Sequence, residues 1–107
     1  MFTRIVEVST KTGKSREVCN IIREKILPIL RNQTGFVDEI TLVSDQHPDR
    51  VVSLSFWKSR EDAQRYQSQQ FQTIVNLIRN HLESDPRVET YDLESSTVHN
   101  NAAGKAA

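Results

Sequence analysis

One cysteine, Cys19, stands in a chain of 107 residues. A lone thiol forms no internal disulfide, which excludes a disulfide-stapled scaffold. No apolar run approaches the roughly 20 residues that cross a bilayer. The opening Met1-Phe2-Thr3-Arg4 has no hydrophobic signal core. Neither sign of charge dominates, since 14 Lys and Arg balance 14 Asp and Glu. That balance leaves no electrostatic footprint for nucleic acid or anionic lipid. The expectation is a cytoplasmic protein with no nucleic-acid and no membrane partner.

Metal and phosphate signatures are missing too. No two of the three histidines, and no His with an acid, have ligand spacing such as H-x-x-x-H, so no metal is expected. Gly13-Lys14-Ser15 ends like a phosphate loop but lacks the preceding glycine. Apolar residues make up only 36%, which points to a thin core and to a second subunit as a source of further burial.

What is present is a readable alternation of periods. Residues 2–9 alternate as a half-buried strand, with Phe2, Val6 and Val8 on one side and Arg4 breaking the pattern. From Ser15 to about Asn32 the period becomes helical, with Val18, Cys19, Ile22, Ile26, Ile29 and Leu30 on one face. Pro28 should kink or shorten that helix, and Gly35 is a suitable stop. Residues 36–44 and 50–57 read as strands joined by a polar turn, hence an antiparallel hairpin. Ser59 caps a helix start, and Phe71, Ile74, Val75, Ile78 and Leu82 stripe a following helix. Residues 87–94 form a last strand, and the stretch 95–107 has no apolar period.

The order βαββαβ predicts a ferredoxin-like α+β fold: a four-stranded antiparallel sheet with two helices on one face. Residues 1–94 would be the domain and 95–107 a disordered tail. With Val52, Leu54 and Phe56 taken as helix-facing, Ile5, Val37, Val43, Val51 and Trp57 fall on the uncovered face. Apolar residues there, with a Trp among them, predict a homodimer through Ile5, Val43, Val51 and Trp57. The plain alternative is that Trp57 packs under a loop.

Several stretches resemble the antibiotic biosynthesis monooxygenase family and its dimeric α/β-barrel relatives. They are Gly35-Phe36 opening a strand, Asp45 and Asp49-Arg50 at the turn, then Phe56-Trp57-Lys58-Ser59-Arg60-Glu61-Asp62-Ala63 leading to Phe71. The resemblance spans roughly residues 2–94. It implies a barrel-like dimer of packed sheets and a pocket in each subunit between sheet and helices. Some members of that family oxidise aromatic polyketides with oxygen and no metal or flavin, others degrade heme, and many have no known reaction, so the resemblance leaves the activity open. The heme-degrading branch uses an Asn on the first strand and a Trp and a His on the second helix. Those positions fall on Val6, Tyr66 and Val75, and His81 lies more than a helical turn beyond, so that branch is not expected.

The pocket implied by the resemblance would be lined by Val6, Phe56, Tyr66, Phe71 and Val75 and would suit a small apolar or aromatic ligand. Phe71 and Val75 fit a packed core better than a ligand wall. Tyr66 fits either role. His81 suits a structural place at a helix end, His47 a solvated turn, and Cys19 an inert buried thiol. Two functions remain open: a cofactor-independent monooxygenase of quinol-like aromatics, and a non-catalytic small-ligand-binding or interaction module. No cofactor is expected for either.

Overall fold

The computed structural model describes residues 1–99. Four strands form one antiparallel sheet in the order β2-β3-β1-β4: β1 (Phe2–Ser9), β2 (Phe36–Val43), β3 (Arg50–Trp57) and β4 (Arg87–Asp92). Between β1 and β2, helix α1 (Ser15–Ile21) runs through a π-helical turn (Ile22–Ile26) into α2 (Leu27–Arg31). Between β3 and β4 come α3 (Arg60–Gln69) and α4 (Phe71–Ile78), then a 3₁₀ turn (Arg79–His81). This is the ferredoxin-like α+β architecture that the alternation of periods predicts.

Pro28 neither ends nor shortens the first helical stretch. It has no N–H for the carbonyl four residues back, and its ring crowds that carbonyl. The π turn just upstream widens the helix where this conflict falls, and the chain regains α geometry at Leu27. Gly35 closes the connection with φ 83, a left-handed angle that glycine adopts without strain. Ser59 caps α3 as its sequence suggests, its hydroxyl accepting from the Asp62 N–H at 3.1 Å.

Strand β3 corrects the sequence reading. Residues directly opposite in an antiparallel pair share a face. The register Phe2↔Trp57, Arg4↔Ser55, Val6↔Ser53 and Val8↔Val51 therefore puts Val51, Ser53, Ser55 and Trp57 on the helix side with β1's buried residues. Val51 and Trp57 are both buried in the core. Val43 pairs with Val51 and shares that side. The uncovered face instead carries Ile5, Ile40, Leu42, Val52, Leu54 and Phe56. Of the four residues expected at a dimer face, Ile5 alone lies on it. The expectation failed because this strand's more apolar row is the one turned away from the helices.

In β2 an irregularity between Phe36 and Asp38 shifts the register. The extra residue returns Phe36 to the helix side, where its ring meets Trp57 edge-on with centroids 5.6 Å apart.

The expected disordered tail begins among described residues and continues over 100–107, which lie outside them. Residues 95–99 form no strand or helix. They cross one end of the uncovered face, where the His99 ring stacks on Phe56 at 4.7 Å and its Nε2 lies 3.4 Å from Asp38 Oδ2.

Candidate active site

Between the sheet and the helices lies a cavity of about 50 Å³. Its floor is Arg4, Val6 and Val8 of β1 with Val51, Ser53 and Ser55 of β3. Its roof includes Ile22 and Ile26 of the π turn, and Phe71, Ile74 and Val75 of α4; Tyr66 closes one end from α3. Both helical stretches are irregular here. One carries the π turn, and the other breaks at Gln70, where φ is −123.

Four of the five residues expected at a pocket, Val6, Tyr66, Phe71 and Val75, line this cavity together. Phe56 does not. It stands on the opposite face of the sheet beneath His99, a consequence of the reversed parity of β3.

The strand positions that look wrong for a core supply most of the polar chemistry. Arg4 points into the helix side and is 3% exposed. Its guanidinium lies 4.7 Å from the Phe71 ring centre and 5.0 Å from that of Tyr66, and Nη2 donates to Gln67 Oε1. Ser55 accepts from the Trp57 indole N–H at 2.9 Å. Ser53 donates to Glu39 Oε2, which also accepts from Thr41 Oγ1 at 2.7 Å. Glu39, Thr41, Ser53 and Ser55 thus form a polar band across β2 and β3 beside an otherwise apolar chamber.

Electrostatics assigns Tyr66 a neutral role. Burial pushes its phenol up to about 12, against the opposing charge and hydrogen bond of Arg4. At neutral pH it is a hydroxyl that donates or accepts, not a base. The same burial lowers the pKa of Arg4 from its ordinary value. Cys19 is half-buried, and desolvation raises its thiol, the opposite of an activated nucleophile.

The remaining candidates lie elsewhere. His81 sits in the 3₁₀ turn with Nδ1 3.4 Å from Glu17 Oε2. Among the described residues no three His, Cys, Asp or Glu side chains are grouped to hold a metal ion. None of the helices there is long and apolar enough to cross a membrane.

Sequence reasoning passed over Arg4, Ser53, Ser55 and Glu39. For Arg4 the signal was present: a charge interrupting the apolar row Phe2, Val6, Val8.

The antibiotic biosynthesis monooxygenase pattern matches residues 1–77. This chain belongs to that family. Solved structures agree on the fold. A monooxygenase of Streptomyces coelicolor, in complex with nanaomycin D, is 12% identical with a TM-score of 0.76, covering 89% of this chain and 88% of its own. A variant of SnoaB, a cofactor-independent oxygenase from Streptomyces nogalater, is 13% identical with a TM-score of 0.72, covering 90% and 95%. A Nitrosomonas europaea protein of unknown function is 15% identical with a TM-score of 0.76, covering 90% and 91%. No curated protein sequence matches the chain.

Proposed function

We propose that this family member is a cofactor-independent monooxygenase of small quinol-like or anthrone-like aromatics. The observation that carries the reading is the cavity itself. Apolar walls that include Val6, Phe71 and Val75 are bordered by a few polar side chains, Arg4, Ser53, Ser55 and Tyr66. At about 50 Å³ it is smaller than the ~150 Å³ void that accepts benzene. Substrate therefore enters as the roof gives way, and the π turn and the break at Gln70 are the places where it gives most readily.

The chemistry asks little of the protein. The substrate loses a proton from a ring-activated CH₂ or hydroxyl, and its anion supplies the electrons that reduce dioxygen. For an anthrone the CH₂ becomes a carbonyl, one oxygen atom staying in the product and the other leaving as water. Ser53 takes the first proton as its own passes to Glu39 Oε2, to which it is already hydrogen-bonded. The apolar lining limits water beside the substrate, and the anion is held beside fixed dipoles. Oxygen uptake over a panel of hydroquinones and anthrones tests the reading; no uptake above the protein-free rate on any of them rejects it.

A non-catalytic binding module is the second reading, favoured by the cavity's small volume. It allows saturable binding of the same aromatics without turnover.

The working unit in this proposal is residues 1–94 in a homodimer, with 95–107 as an appended tail. Ile5, Ile40, Leu42, Val52 and Leu54 form the face that pairs. Leu42 at 50% and Ile40 at 42% exposure leave apolar surface that a second sheet would cover.

A further inference from the structure

Arg4 brings into the cavity a charge that the described chain leaves without a counter-charge. Carboxylates in ion-pair range of other cations number several, but among the described residues none lies within that range of Arg4. Its partners are neutral: the amide oxygen of Gln67, the Tyr66 side chain and the face of Phe71. Burying a guanidinium without a carboxylate is costly, and an apolar side chain here would extend the row of Phe2, Val6 and Val8 at no such cost.

The position also has access. Arg4 borders a second space on its far side, a groove formed with Phe2, Arg60, Ala63, Gln64, Gln67 and Thr90. The Arg60 guanidinium lies 4.8 Å from the Phe2 ring centre there. An anion reaching the groove meets Arg60, exposed and 3.7 Å from Asp92 Oδ1, before the buried cation. Beyond Arg4, the rings of Tyr66 and Phe71 offer flat walls.

We propose that Arg4 is the anion-recognition residue of this cavity, and that its ligand is a flat aromatic anion, a carboxylate or phenolate carried on a ring. This rests on reading the cavity as the ligand site. The planar fork of the guanidinium matches two oxygens of a carboxylate or one phenolate oxygen plus a neighbouring acceptor. It deepens the oxygenase reading, because the same contact holds a quinol in its ionised, electron-rich form.

The probes are benzoate and benzamide, which have nearly the same shape and differ in charge. Trp57, the single tryptophan, stacks on Tyr66 at 5.0 Å, so its fluorescence reports occupancy. The wild-type chain should bind benzoate at least about tenfold more tightly than benzamide. Arg4→Gln should bring the two affinities within about twofold of each other, and Arg4→Lys should keep benzoate ahead. Equal affinities in the wild type, binding of neither probe, or a benzoate preference surviving in folded Arg4→Gln overturns the proposal. If Arg4→Gln does not fold, the wild-type comparison and Arg4→Lys still decide it. Neither probe is an oxygenase substrate, so loss of anion preference and loss of oxygen uptake are read separately.

Discussion

Trp57 stacks on Tyr66 with ring centroids 5.0 Å apart and planes 30° from parallel. Its indole N–H is satisfied by Ser55 Oγ, and Phe36 meets it edge-on. The last residue of β3 is thereby fixed to α3 and β2 at once, and Tyr66 is held at the cavity wall. Trp57→Ala should cost about 3–5 kcal/mol of stability, the usual toll for emptying a fully buried aromatic site. Equilibrium urea unfolding measures it, and a loss under about 1 kcal/mol would contradict this placement.

How Trp57 came to be misplaced from sequence is instructive. Fold class, the order of elements along the chain and the helix cap were legible, because alternation, the 3.6 period and Ser59 each leave a local trace. The parity of β3 was not. Val52, Leu54 and Phe56 look like a core row, while Ser53 and Ser55 look like a solvated one. Here the polar row faces inward because Ser55 binds Trp57 and Ser53 binds Glu39, and the apolar row is left uncovered. A site that buries polar groups inverts the pattern that sequence reading depends on. The bulge between Phe36 and Asp38 has no composition signal, and it puts Phe36 on the opposite side from Ile40 and Leu42, which alternation alone groups together.

Tyr66 should ionise late. Its folded pKa is raised from 10.0 to about 12. The neutral form is favoured in the folded state, so this contribution to stability is complete below pH 10 and is lost as pH rises toward 12. From the shift it amounts to about 3 kcal/mol. In a Tyr91→Phe variant Tyr66 is the sole tyrosine, and absorbance titration should show little tyrosinate until the pH nears 12. Half-ionisation near 10 in the folded protein would refute the burial argument.

Gly35 should resist substitution. At φ 83 a side chain is strained, and a Cβ there would lie 2.5 Å from Asp62 Cβ and 2.1 Å from Asp62 Oδ2. Gly35→Ala should destabilise by at least about 1–2 kcal/mol from the left-handed angle alone, with a further loss as Asp62 gives up its 2.8 Å contact with Arg65. Gly13→Ala has the same backbone strain, with φ 77 and open space around the new Cβ, and should cost less. Chemical denaturation ranks the two, and the reverse order would contradict the clash.

Association should depend on the corrected face. Leu54→Glu places a charge among Ile5, Ile40 and Phe56 and should yield a monomer by analytical ultracentrifugation at micromolar concentration, with the helix-side core intact by circular dichroism. A monomeric wild-type chain under the same conditions would remove the dimer from the account.

The central claim is oxygen insertion without an added cofactor, and isotopically labelled dioxygen tests it most directly. Purified protein, a hydroxyanthrone and labelled dioxygen are combined with no flavin or metal, and the quinone is analysed by mass spectrometry. The expected result is one labelled oxygen atom per quinone, formed faster than in protein-free solution, with the rate falling at least about tenfold in Arg4→Gln. Formation of quinone at the protein-free rate across a panel of hydroxyanthrones would contradict the account and leave the cavity as a binding site alone.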